Sequence, residues 1–271
     1  MKSILVPVEQ NDTIASTLQT ARLLADAFAS YVEGFALAPG VAPFLATDTV
    51  GESVLFETDL KPDAQAVRAS RELFERAMAG GAGITATWLA GGARDEGFVG
   101  TYGRVFDVTV VGRPGNEAAS PRASTFESAI FGSGRPVLIA PPVPPESLGS
   151  IVAIAWNRSA ETARAIALAM PLLMRAGRII VLATEKGSVV GPSGGKVVEY
   201  LERHGRDAEL VAIQRDEGKS AGPALLEAAS RANADLLIKG AYTQSRISQM
   251  IFGGATRHIL SDATLPVFMA H

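Results

Sequence analysis

The sequence contains an internal repeat, and this repeat restricts the possible folds more than any other feature of the chain. Three apolar segments of the first half recur in the second half in the same order. The segments pair as Ser3–Val6 with Ser150–Ala153, Asp107–Gly112 with Asp235–Gly240, and Arg135–Ala140 with Leu265–Ala270. Short apolar runs of this kind are typical of buried parallel strands, so we expect two copies of one unit.

Each half alternates strand-like apolar runs with helical stretches. The latter include Ile14–Phe28, whose apolar residues lie near helical spacing, and Ala160–Arg175. This alternation predicts an α/β fold in which each half forms a five-stranded parallel sheet with right-handed crossovers and helices on both faces. The run Pro141–Pro145 predicts a stiff linker, so we assign residues 1–142 to one domain and residues 150–271 to another. Pairing the final strands, Pro136–Ala140 and Pro266–Ala270, would cover two apolar edges and give a pseudo-twofold unit.

Residues 38–60 interrupt the pattern of the first half. This stretch contains two prolines and isolated apolar residues, and it is long for a loop in a compact unit. It is interpreted either as a variable insertion or as a flap or partner surface, and it is expected to be irregular.

Composition excludes several classes of protein. The chain has 271 residues, 47% of them hydrophobic, which is enough for two domains with filled cores. A formal net charge of −3 argues against nucleic-acid binding, and the lack of cysteine excludes disulfides, thiolate catalysis and cysteine-ligated metals. No apolar run has the length of a membrane helix or a signal peptide, so a cytoplasmic protein is expected. The three histidines lack metal-ligand spacing, and no metal site is predicted.

A glycine-bounded loop between a strand and a helix, from Gly240 to His258, carries the strongest functional signal. This arrangement presents backbone N–H groups to a phosphate. Gly254 would allow close approach of the backbone. Arg246 could neutralise phosphate charge or simply lie on a solvated loop. Thr256 could contact phosphate or a metal ion, or it could cap the helix.

With these segments, the chain resembles the universal stress protein family in its tandem two-domain form, over essentially its whole length. The resemblance implies a Rossmann-like fold related to adenine nucleotide alpha hydrolases. Nucleotide-binding members carry Gly-x2-Gly-x9-Gly-Ser/Thr after the fourth strand. In the second half Gly240 and Gly253 fit the first and third positions, while Thr243 replaces the second glycine and Gly254 replaces the Ser/Thr.

The first half carries a more altered form of the same motif. Gly112 and Gly115 fit the first two positions and Ser124 fits the last, but Ala123 replaces the third glycine and the loop is two residues shorter. The family also places an acidic residue after the first strand, near the adenosine. Glu9 has that place in the first half; in the second half Asn157 has it, followed by Ser159, where the family commonly has serine.

The resemblance therefore implies two nucleotide sites of unequal quality. The second-half site is predicted to comprise Ala155, Trp156, Asn157, Ser159, Ala183, Gly240, Thr243, Arg246, Gly253, Gly254, Ala255 and Thr256. The weaker first-half site is predicted to comprise Val8, Glu9, Gly112, Gly115, Ser124 and Thr125, with Ser124 or Thr125 capping the following helix.

The function implied is that of an ATP- or adenine-nucleotide-binding regulatory protein of the stress response, with Mg²⁺ arriving on the nucleotide. A protein partner or a second copy of the chain is a further expectation. Two alternatives stay open: an interaction module on the same fold that binds no nucleotide, and a slow ATPase or adenylate-forming enzyme. No catalytic residues are predicted, because no nucleophile and base can be paired from the sequence.

Overall fold

The computed structural model describes residues 1–38, 44–47, 53–56, 64–81, 83–115, 117, 119–184, 189–214, 220–241 and 254–271. The strands are β1 (Ser3–Val8), β2 (Tyr31–Ala36), β3 (Phe44–Thr47), β4 (Ser53–Phe56), β5 (Thr85–Trp88), β6 (Val108–Gly112), β7 (Val137–Ala140), β8 (Ile151–Trp156), β9 (Arg178–Thr184), β10 (Glu209–Ile213), β11 (Leu236–Gly240) and β12 (Val267–Ala270). The helices are α1 (Ile14–Phe28), α2 (Ala64–Met78), α3 (Glu96–Tyr102), α4 (Ala123–Glu127), α5 (Ala160–Leu168), α6 (Met170–Arg175), α7 (Gly194–Arg203), α8 (Gly222–Arg231) and α9 (Gly254–Asp262).

Ten of these strands form one sheet, in the order β10-β9-β8-β11-β12-β7-β6-β1-β2-β5. Pairing is parallel within each half and antiparallel where β7 meets β12, with Phe268 opposite Leu138. Both of these side chains are fully buried. The two apolar final strands therefore cover each other's edges, and the predicted α/β fold with its pseudo-twofold arrangement is confirmed.

Helices cover both faces of the sheet. On one face, apolar residues of α1, α2, α5, α6 and α7 form a core that includes Phe74, Trp156 and Leu201. The other face is packed by α3, α4, α8 and α9, around Phe126 and Ile259. The two faces matter for function, because α5 and α9 begin near neighbouring strand ends but lie on opposite sides of the sheet.

The repeated aspartate of each half ties its first strand to its fourth. Asp235 accepts hydrogen bonds from the backbone N–H groups of Ser150 (3.0 Å) and Ile151 (2.9 Å). Asp107 accepts corresponding bonds from Lys2 and Ser3, the latter at 3.1 Å. One acidic residue thus holds the start of two neighbouring parallel strands in register in both copies.

Three local expectations were wrong. The insertion is not irregular where it is described, because β3 and β4 form an antiparallel hairpin. The single helix expected from Ala160 to Arg175 is divided into α5 and α6, since Pro171 begins a new helical segment. Neither Ser124 nor Thr125 caps α4, which follows Arg122 without a side-chain cap and continues as a π-helical turn.

No helix in the part of the chain that the structure describes is both long enough and apolar enough to cross a bilayer.

Candidate functional site

The second-half site lies at the carboxyl edge of the sheet, where β9, β8 and β11 end side by side. Ala155 and Trp156 close β8, and Trp156 pairs in register with Ala183 of β9. Gly240 closes β11, the next strand along the sheet. Four of the predicted residues, distant in sequence, are therefore brought to one edge, where parallel α/β sheets bind ligands.

The turn after β8 is held by its own polar side chains. Ser159 caps α5 by accepting a hydrogen bond from the N–H of Thr162 at 3.2 Å. The Asn157 carboxamide oxygen accepts from the Thr162 hydroxyl at 2.6 Å and from the Ser159 N–H at 3.2 Å. Asn157, predicted to lie near the adenosine, and Ser159, which follows it, thus shape the loop at this edge.

Gly240 is required by the close approach of α5. A Cβ atom added at Gly240 would lie 2.4 Å from the backbone nitrogen of Thr162, closer than real Cβ contacts allow. The N–H of Gly240 donates to the Thr162 hydroxyl at 3.3 Å. The start of α5 and the end of β11 therefore form one hydrogen-bonded unit, with the first turn of α9 next to it.

Lys239 places a buried positive charge in this unit. Its side chain is 6% exposed, and its ammonium group donates to the Thr256 hydroxyl at 2.6 Å and to the Gly240 carbonyl at 2.7 Å. Burial lowers the pKa of Lys239 to about 8, while the nearby Glu161 carboxylate acts in the opposite direction. An ammonium group with two hydrogen-bond partners among the described residues is thus held against the first turn of α9.

Glu161, in the first turn of α5, contributes the opposite charge. Its Oε2 atom is buried and has no hydrogen-bond partner among the described residues. A buried carboxylate oxygen without a donor is unfavourable. The described residues therefore leave this acceptor without a donor, close to the Lys239 ammonium.

The remaining predicted residues of this half fall into two groups. Gly254, Ala255 and Thr256 form the first turn of α9, with Thr256 almost fully buried beneath the Lys239 contact. The first N–H groups of a helix have no partners within the helix and favour an anion. Thr243, Arg246 and Gly253 lie outside the described residues.

In the first half, a carboxylate of the protein itself lies at the start of the helix after the fourth strand. Both Glu9 carboxylate oxygens accept from the backbone N–H of Arg122, at 3.3 Å, directly before α4. Glu9 also forms an ion pair with the Arg122 guanidinium, which contacts Glu96 at 2.6 Å. The acidic residue expected to meet an adenosine is therefore engaged by the protein itself.

The loop after β6 also folds onto itself. A Cβ atom added at Gly112 would lie 2.5 Å from the Pro121 ring, and one at Gly115 would lie 2.4 Å from the Ser120 hydroxyl. The Gly115 N–H donates to the Pro121 carbonyl at 3.1 Å. These glycines allow a compact loop, which packs against the end of its own strand.

The other predicted residues of the first half do not converge. Val8 is fully buried in the core, and Ser124 is exposed on α4. Thr125 is 2% exposed, and its hydroxyl has no hydrogen-bond partner among the described residues. Within those same residues, no group of three His, Asp or Glu side chains could hold a metal ion.

Lys239 is a site residue that the sequence pattern did not predict, although the repeat contains a signal for it. The aligned position in the first half is Val111, a buried apolar residue of β6. A lysine that replaces a valine near the carboxyl end of an otherwise apolar strand indicates a charge with a specific role.

Comparison with known proteins agrees with this architecture. Residues 152–271 match the model of the universal stress protein family. No curated protein sequence gives a significant match. Among solved structures, a universal stress protein from Archaeoglobus fulgidus DSM 4304 superimposes with a TM-score of 0.70 at 14% identity, covering 99% of this chain and 95% of that chain.

The fold is shared more widely than the family. The cytoplasmic domain of a prokaryotic cation chloride cotransporter superimposes with a TM-score of 0.53 at 14% identity, covering 99% of this chain and 94% of that chain. At such identity the likeness shows the fold alone. The second half of this chain thus belongs to the universal stress protein family, and the first half repeats the fold of the second.

Proposed function

We propose that this protein is a cytoplasmic regulatory protein that binds an adenine nucleotide, ATP or a relative, at the carboxyl edge of its second half and does not turn it over. The observation that carries the proposal is the buried Lys239 ammonium held against the first turn of α9. A cation next to a helix N-terminus provides two favourable interactions for one phosphate group.

Burial strengthens the expected interaction. In the protein interior the effective dielectric constant is lower than in water, so the attraction between an ammonium and a phosphate is larger. The lowered pKa of Lys239 indicates that the charge is poorly compensated without a ligand. A bound anion would supply this compensation, and part of that gain would appear as affinity.

The expected cofactor Mg²⁺ fits this edge less well than the nucleotide does. Mg²⁺ is usually held by phosphates and one or two carboxylates, and Glu161 offers one buried carboxylate oxygen. The Lys239 ammonium, however, already lies close to that carboxylate and would repel a second cation. We therefore expect nucleotide binding that depends only weakly on Mg²⁺, with Lys239 offsetting phosphate charge.

One nucleotide per chain is expected. In the first half, the Glu9 carboxylate occupies the donors of Arg122, and an incoming phosphate would have to displace it against charge repulsion. The second half has the opposite arrangement, with a cation rather than an anion next to the corresponding helix.

Calorimetric titration of ATP into protein stripped of small molecules tests the proposal. Wild type is expected to bind one equivalent with or without Mg²⁺, and Lys239→Met is expected to weaken binding about tenfold or more. Thr256→Val should weaken it too, whereas Thr125→Val, at the same helical position in the first half, should not. Absence of heat with the wild type, together with purified protein that carries no nucleotide, would refute the proposal.

A protein-interaction module is the second candidate, and the β3–β4 hairpin favours it. This hairpin forms a separate two-stranded sheet that does not join the ten-stranded sheet. Deleting residues 40–60 while retaining the fold, as checked by circular dichroism, would remove a partner recovered with the intact protein. An unchanged set of partners would eliminate this candidate.

A further inference from the structure

A cavity of about 340 Å³ lies between α5 and α7 in the second half. Its floor consists of the buried side chains of Trp156, Ile166 and Val197, and Ala163 and Tyr200 line its open side. The volume falls within the range of small-molecule sites, about 300–1,000 Å³. The cavity is therefore large enough for a small organic ligand.

In the first half, polar side chains join the two helices that match α5 and α7. Gln10, just before α1, donates to the Ala66 carbonyl at 2.9 Å and to the Ser70 hydroxyl at 3.1 Å, both on α2. Arg22 of α1 donates to the Ala77 carbonyl at 2.7 Å. Between α5 and α7 the described residues form no such bond, and the cavity lies between these two helices.

The lining indicates an apolar ligand body. The Trp156 indole N–H is already used by the Pro192 carbonyl, at 2.9 Å, so the indole offers the cavity an apolar ring. Ile166 and Val197 add aliphatic surface, and Tyr200 adds a second aromatic side chain. A flat apolar group that packs against such walls removes apolar surface from water, which favours binding.

The rim indicates a negative charge on the ligand. Lys196 and Arg203 both border the cavity, and both pair with the single carboxylate of Glu199, at 2.8 Å and 3.2 Å. Two cations that share one anion leave an excess positive charge at the opening. An anionic group at one end of an apolar ligand would compensate this charge.

From these features we infer that the cavity between α5 and α7 binds a small organic anion with a flat, apolar body. This cavity lies on the other face of the sheet from the helix start at which the phosphate is proposed to bind, although Trp156 is predicted for the nucleotide site as well. Trp156, Ile166 and Val197 belong to the core on one face of the sheet, whereas α9 packs on the opposite face through Ile259. The protein would then hold two different ligands at one half.

Anilinonaphthalene sulfonate is a suitable probe, because it is aromatic, carries one negative charge and fluoresces in apolar sites. Wild type is expected to give saturable binding of one equivalent. Ala163→Leu, which fills the opening, should weaken binding about tenfold or more. Ala167→Leu is the matched control, since this exposed alanine lies one turn further along α5 and does not line the cavity.

Two further measurements keep the inference testable if Ala163→Leu does not fold. The double variant Lys196→Glu, Arg203→Glu changes only exposed positions and should weaken the anionic probe more than its uncharged analogue, phenylnaphthylamine. Excess ATP should leave the probe signal unchanged. Equal affinity in wild type and Ala163→Leu, equal effects on both probes, or displacement by ATP would each overturn the inference.

Discussion

Replacing Lys239 by methionine should remove a pH dependence of stability that the buried ammonium causes. The pKa of Lys239 is lowered from 10.5 to about 8 in the folded protein, mainly by burial. Between these two values, the unfolded chain holds a proton that the folded protein has released. Unfolding then takes up a proton, so the free energy of unfolding rises with pH across this interval.

The magnitude follows from the two pKa values. At about pH 7 both states are protonated, and Lys239 contributes almost no pH dependence. At about pH 9.5 the folded state is mostly neutral and the unfolded state mostly charged, which corresponds to a gain of about 2 kcal/mol in the free energy of unfolding. Methionine has a similar length and no proton to release, so the variant should lack this gain.

Urea unfolding of both proteins at the two pH values, followed by circular dichroism, measures the effect. Other groups also titrate in this range, but they are common to wild type and variant and cancel in the difference. Lys196→Met serves as the matched control, since Lys196 is exposed, and its pH dependence should follow that of wild type. If Lys239→Met and wild type respond equally to pH, the buried-charge account of this edge is refuted.

Three further perturbations test the packing on which the site depends. Thr125→Val should raise the free energy of unfolding by about 1 kcal/mol in urea titrations, because it removes a buried hydroxyl without a partner among the described residues; a loss of stability would contradict this. Gly240→Ala should lower it by about 1–3 kcal/mol through its clash with Thr162, whereas Gly195→Ala, with no contact closer than 3.7 Å, should not destabilise. Burial acts to raise the Asp107 pKa, but two backbone N–H donors lower it below its ordinary value, so Asp107→Asn should reduce the melting temperature at neutral pH and progressively less in acid. An equal loss at every pH would exclude a charge effect.

Much of the fold could be predicted because its determinants are local and repeated. The runs that became β6 and β11 are short, apolar and bounded by glycine, and the periodic apolar residues of α1 predicted its limits. The antiparallel pairing of β7 with β12 was predictable because two apolar edges needed cover. The hairpin of β3 and β4 was missed because its signals are weak in a proline-containing stretch.

The candidate site was only partly predictable, because its chemistry depends on residues far apart in the sequence. The positions of Gly240 and Gly112 were found from spacing, but the neighbour that makes glycine necessary at Gly240 is Thr162 of another element. The pairing of Glu9 with Arg122 spans 113 positions and follows no local pattern. The burial of Lys239 likewise depends on how α9 packs over β11.

The number of nucleotides bound per chain tests the central claim most directly. Native mass spectrometry of stripped protein with added ATP should show one bound nucleotide per chain, retained in Thr125→Val and lost in Lys239→Met. That result would place binding at the second half, where a buried cation rather than a carboxylate lies next to the helix. Two nucleotides per chain, none, or one that persists equally in Lys239→Met would contradict the account.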